Sequence, residues 1–307
     1  MADISNLIAE VCEDVSGEIS RDIQARLCDL KLSGSHRRFL VSRMGSTGST
    51  WLAKLLNGHP DVFCYHEGVI AKVYPARKYG NDEILAFINL LSTDLMHGAY
   101  LATGDVGSTW INHLTALPKN SFFRALLIRH PAKILSTRLK VFPQDRSFTE
   151  ISERFTQCIQ RIWGIDPRKY DEIDRIFLQD AFIFAGQVRW LSQVDLVIQI
   201  EKMNDPEYCG RAVHALTGLD YERCLVRAFL DNPINVRTGG HQSIKQTLLS
   251  FTAQQRKWYE HMLGDVISRF GYSLDGEVAL DLASTAVGAP GSVGGRVAYR
   301  AVKGNSE

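Results

Sequence analysis

The sequence predicts an α/β fold in which a central parallel sheet is covered by helices on both faces. Three observations predict it. Short apolar runs, each the length of one buried strand, alternate with longer segments of helical periodicity. The 307 residues are 45% hydrophobic and 22% charged, the composition of a globular chain large enough to bury a core. A Gly/Ser/Thr-rich turn separates the first apolar run from the first helical one, and open parallel sheets bind ligands beyond such strand ends.

The elements follow in chain order. Residues 1–35 open with MADISNLIAEVCEDVSGEIS. Ile4, Leu7, Ile8 and Val11 recur at helical spacing, and acidic residues stand where a secretory leader would be basic, so this stretch reads as a packing helix. Residues 38–43 (RFLVSR) form the first strand, and WLAKLLNG after it is helical. Further strands are expected at 61–65 (DVFCY), 123–128 (FRALLI) and 195–200 (DLVIQI), with a helix over ILSTRLK after the third strand. Residues 146–190 combine charge and aromatics with helical periods. They are expected to be a helical insertion that forms the acceptor side of a cleft. The main domain spans 36–275, and 276–307, whose end is rich in Gly, Ala, Val and Ser without a period, reads as a flexible tail.

Charge and cysteine usage narrow the class. Lys+Arg 35 against Asp+Glu 34 leaves a formal charge of +1, so neither nucleic acid nor an anionic membrane is expected as a partner. No run of about 18 apolar residues is present to span a bilayer. Six cysteines are scattered without a CxxC pair, which points to reduced thiols in a cytoplasmic protein rather than a zinc or disulfide framework. No metal site is expected, and a homo-oligomer is left open.

The chemistry concentrates first in Ser42-Arg-Met-Gly-Ser-Thr-Gly-Ser-Thr-Trp51. Glycine lets backbone amides approach a phosphate, and a following helix N-terminus adds partial positive charge. Ser46, Thr47, Ser49 and Thr50 add hydroxyls around Gly48, more than one helix cap requires. The stretch therefore reads as a phosphate cradle. An ATP or GTP loop would need GxxxxGK[ST]. Here only two residues separate Gly45 from Gly48, and no Lys lies between Arg43 and Lys54, which argues against a kinase.

The loop resembles the 5'-phosphosulfate loop of sulfotransferases that use 3'-phosphoadenosine 5'-phosphosulfate (PAPS), a basic residue followed by SGTTW. Thr47-Gly48-Ser49-Thr50-Trp51 matches it with conservative swaps, while Ser46 stands where the family carries Lys or Arg. By that resemblance Trp51 stacks on adenine. HPDVFCYHE, ending at Glu67, is similar to the HPDxxCxEE stretch of tyrosylprotein sulfotransferases at the same distance from the loop, which implies that Glu67 is the catalytic base. His66 is the rival base, since its ordinary pKa needs less tuning. Arg129-His-Pro131 followed by Ser136 and Thr137 resembles the family's 3'-phosphate segment RDPxxxxxS, with Arg129 and Thr137 on the arginine and serine.

Two more stretches agree in order. QIEKMNDPE resembles the family's RYEDLxxDPE, with Ile200 in place of tyrosine. Arg237-Thr238-Gly239 resembles the RKG element that closes over the 3'-phosphate, with Lys245 as a nearby cation. FTAQQRKWYEHMLGDVISRFGYS resembles the terminal helix. The match runs from about residue 36 to about residue 273.

The resemblance implies a P-loop-like three-layer sandwich and sulfuryl transfer from PAPS to a small-molecule hydroxyl or amine, without a metal. Arg43, Lys72 or a basic residue of the helical insertion then has to replace the missing loop cation. A carbohydrate or protein-tyrosine acceptor, a small-molecule kinase and a nucleotide binder without catalysis are the alternatives.

Overall fold

The computed structural model describes residues 37–66, 100–108, 122–141, 153–221 and 242–276. The expected N-terminal helix, Glu67, Lys72, Arg237 to Gly239 and the tail from 277 onward lie outside the described residues. Five strands, β1 (Arg37–Arg43), β2 (Val62–His66), β3 (Ala102–Ser108), β4 (Phe123–Ile128) and β5 (Leu196–Gln199), form one parallel sheet in the order β2-β3-β1-β4-β5. Seven α-helices are described: α1 (Ser49–Leu56), α2 (Pro131–Val141), α3 (Glu153–Trp163), α4 (Glu172–Gly186), α5 (Pro206–Thr217), α6 (Ile244–Leu249) and α7 (Ala253–Ile267).

Strand alternation divides the core into two layers. Phe39 and Val41 of β1, with Ala125 and Leu127 of β4, pack with Leu52, Leu55 and Leu56 of α1 and Val213 and Leu216 of α5. Leu40, Leu126 and Ile128 face the other way, toward α2, α3, α4 and α7. Side chains of successive strand residues point to opposite faces, so near-continuous apolar runs such as FLV and ALLI require cover on both. The result is the expected three-layer α/β sandwich. Within residues 153–190, α4 belongs to the covering layer itself, with Phe177, Phe184 and Ala185 fully buried in it.

Four strands and the helices after the first and third match the sequence expectation within a residue or two at most ends. The interior strand β3 does not. Its sequence, ATGDVGS, contains Asp105 and two glycines, residues that disfavour strands on average. Tertiary packing reverses that preference. A Cβ at Gly104 would lie 2.3 Å from the Phe39 ring and 2.5 Å from the Phe39 carbonyl oxygen of the neighbouring strand. Gly107, at φ +125°, occupies a bulge where the register passes from Val41↔Val106 to Ser42↔Ser108. The edge strand β2 is held by Asn57, whose side-chain amide donates to the Cys64 carbonyl at 2.7 Å and accepts from its N–H at 2.8 Å.

Sheet order places a topological switch at β1. After β1 the chain runs by way of α1 on one face to β2. After β4 it runs by way of helices on the opposite face to β5. The two connections diverge at the carboxyl ends of β1 and β4, the place where such sheets generally bind ligands in a crevice. No described helix is long and apolar enough to cross a membrane.

Gly104→Ala is expected to destabilise the chain by on the order of 3 kcal/mol, because strand backbone and a buried ring cannot both retreat. Denaturant unfolding measures it, and a loss under 1 kcal/mol would show that the β1–β3 contact is softer than described.

Candidate functional site

The loop between β1 and α1 lines the switch-point crevice. Ser46 and Gly48 take left-handed conformations, at φ +67° and +87°. The fully buried Thr47 donates its hydroxyl to the Met44 carbonyl at 2.9 Å, closing the turn on itself. Gly48 is also needed for space, since a Cβ there would lie 3.0 Å from Ile200 at the end of β5. Ile200, standing where the resembling family has tyrosine, therefore packs on the loop backbone. His66 Nε2, from the end of β2, lies 3.0 Å from Ser49 Oγ and 3.3 Å from Thr50 Oγ1. Burial and the Arg43 charge push the His66 pKa down, so the ring is neutral at pH 7.

Three guanidinium groups converge on this loop. Arg129, just beyond β4, donates from Nη1 to the Ser46 carbonyl at 3.0 Å and joins the two sides of the crevice. Arg43 ends β1. Burial pushes its pKa down to about 10, with Asp105 opposing and Arg138 adding to the shift, and it remains a cation at neutral pH. Arg138 of α2 donates from Nε to Asp180 Oδ2 of α4 at 2.7 Å. A Cβ at Gly45 would lie 2.7 Å from Arg138 Nη1 and 3.8 Å from Arg43 Nη1. Glycine at position 45 thus leaves space for both groups against the loop.

A hydrogen-bonded clamp supports the Arg129 side. Glu201, just beyond β5, accepts the His130 backbone N–H at 2.8 Å and the Tyr272 hydroxyl at 2.7 Å. His130 Nδ1 accepts from the Ala132 N–H at 3.3 Å, while Nε2 donates to the Ser273 carbonyl at 2.9 Å. The ring packs edge-on to Tyr272 at 5.2 Å. This arrangement needs a neutral imidazole, and burial lowers the His130 pKa to about 4. The carboxyl ends of β4 and β5 are thereby tied to the segment after α7.

Of the residues singled out by sequence, Arg43, Ser46, Thr47, Gly48, Ser49, Thr50, His66 and Arg129 come together at the carboxyl ends of β1, β2 and β4. Trp51 lies half-buried on α1 against the α1–α5 layer. Ser136 is buried on α2, and Thr137 donates to the Lys133 carbonyl of its own helix at 2.7 Å. Lys245 is exposed on α6, which packs on α2. Glu67, Arg237, Thr238 and Gly239 lie outside the described residues.

Sequence reasoning missed Arg138, Asp180, His130 and Tyr272 as parts of this constellation. Arg138 had a weak signal, adjacency to Thr137. Asp180 had none, because it reaches Arg138 only through the packing of α4 on α2. Burial pushes the Cys64 thiol up and the Cys209 thiol to about 12, so neither is a thiolate nucleophile at neutral pH. The chain matches no protein-family model and no curated protein.

The buried His130 predicts a pH dependence of stability. The unfolded chain takes up this proton below about pH 6.5 and the folded chain only near pH 4. Between those values the unfolded state binds more protons, so stability falls as the pH drops through the window, by about 3 kcal/mol in full. In urea unfolding from pH 7 to pH 4, His130→Gln should lose correspondingly less stability than the unchanged chain. Parallel curves would mean that His130 already titrates near its ordinary value.

Proposed function

We propose that the chain is a sulfotransferase that moves a sulfuryl group from PAPS to a hydroxyl or amine of a small-molecule metabolite in the cytoplasm. The observation that carries this reading is the hydrogen bond from Arg129 to the Ser46 carbonyl. It joins the loop after β1 to the Arg-His-Pro turn after β4 at the switch point, with a guanidinium between them. Guanidinium forks suit phosphate dianions, and the left-handed loop leading into α1 presents backbone amides with the positive end of a helix.

In the reaction the acceptor's lone pair attacks sulfur in line with the bridging oxygen. The bond between sulfur and that oxygen breaks. Its electron pair stays on the phosphate, giving 3'-phosphoadenosine 5'-phosphate and a sulfate ester or sulfamate. The acceptor's proton passes to a base. Glu67 is proposed for that role because it follows β2 directly in the chain. His66 supports the loop hydroxyls instead, which favours the carboxylate over the imidazole. Arginine charge around the loop opposes the negative charge that builds on the leaving phosphate.

Donor recognition is tested by calorimetry. 3'-Phosphoadenosine 5'-phosphate should bind far more tightly than AMP, and Arg129→Ala should remove about 2–3 kcal/mol of that difference. Equal affinity for the two nucleotides would overturn the assignment, and protection by ATP–Mg alone would favour a kinase. Trp51→Ala should cost about 1–3 kcal/mol of nucleotide binding if the indole stacks on adenine. Unchanged binding would leave Trp51 as a packing residue. With an acceptor in hand, Glu67→Gln should slow turnover by roughly 10²–10⁴-fold while leaving donor affinity intact. A larger loss in His66→Ala than in Glu67→Gln would move the base to the imidazole.

A further inference from the structure

We infer that Arg138, oriented by Asp180 of the neighbouring helix, supplies the cation for the 5'-phosphate that the loop itself lacks. The inference rests on the proposed reading of the loop as the seat of a nucleotide 5'-phosphate. Between Met44 and Ala53 the chain carries no Lys or Arg. A departing phosphate with growing negative charge therefore needs its counter-charge from another element.

Arg138 meets the geometric requirement. Its Nη1 approaches Gly45 so closely that a Cβ there would lie 2.7 Å away. The opposite edge of its guanidinium is committed, Nε donating to Asp180 Oδ2 at 2.7 Å. That bond holds the guanidinium on the α4 side while its Nη1 lies against the loop. The Arg138 side chain keeps 20% exposure whereas Asp180 keeps 2%, so the cation retains contact with solvent while its anchor is sealed in the core. A guanidinium suits the role better than an ammonium, because one planar fork serves a carboxylate on one edge and a phosphate on another. Arg43 is the second cation near Gly45, but its Nη1 lies 3.8 Å from the same Cβ position, farther than that of Arg138, and it lies under the charge of Asp105. Arg138 is thus a binding residue for the 5'-phosphate, and Asp180 is its positioning residue.

The test separates the two phosphates. Affinities of the full chain and its variants are measured by calorimetry for 3'-phosphoadenosine 5'-phosphate, AMP and adenosine 3'-phosphate. Arg138→Ala should weaken the first two, which carry a 5'-phosphate, by about 10–100-fold, and adenosine 3'-phosphate by less than about threefold. Arg138→Lys should recover part of the loss. Removing the guanidinium alone strands the buried Asp180 and can lower stability. The double variant Arg138→Met with Asp180→Leu leaves neither charge behind and should show the same selective loss. Equal weakening of all three nucleotides, or no weakening, in the double variant overturns the inference while the donor reading stands. If the unchanged chain does not bind 3'-phosphoadenosine 5'-phosphate at all, the donor reading falls and this inference falls with it.

Discussion

The site depends on one contact across the sheet's switch point, the hydrogen bond from Arg129 to the carbonyl of Ser46. Each partner belongs to a different strand connection, and the two connections leave for opposite faces of the sheet. Without a bridge the crevice would be only a gap between diverging loops. The bridge depends in turn on the Glu201 carboxylate, which holds the His130 N–H and the Tyr272 hydroxyl together. Three segments distant in sequence are therefore fixed relative to one another before any ligand arrives, as preorganised electrostatics requires.

Concentrating arginines has a cost that the fold answers locally. Arg43 and Arg138 repel each other, and burial removes the water that would screen them. Two buried carboxylates answer this, Asp105 on β3 and Asp180 on α4. Each acts on its arginine from within the fold, which leaves the loop side cationic. Burial pushes the Asp180 pKa up, while the Arg138 charge and hydrogen bond oppose that shift.

The two histidines at the site serve as neutral hydrogen-bonding struts. His130 joins the Ala132 N–H to the Ser273 carbonyl, and His66 meets the Ser49 and Thr50 hydroxyls. Both pKa values are pushed down, primarily by burial. Both rings are neutral near pH 7 and are held by contacts to neighbouring protein groups.

The sequence by itself determined the class of fold and the two segments that build the crevice. Runs such as RFLVSR and FRALLI are apolar on both strand faces, and only a sheet covered on both sides buries them. The glycine and hydroxyl pattern of residues 45–50 was legible because a turn with left-handed positions restricts residue type locally. Tertiary structure alone decided three things. It made ATGDVGS an interior strand, because Gly104 is selected by the Phe39 ring next to it and not by strand propensity. It turned Thr47, Ser49 and Thr50 partly inward, to Met44 and His66. It brought Arg138 and Asp180 together over Gly45. Charge pairing across helices leaves no periodic trace in the chain, because its partners are chosen by the packing of α2 on α4 rather than by spacing along either helix.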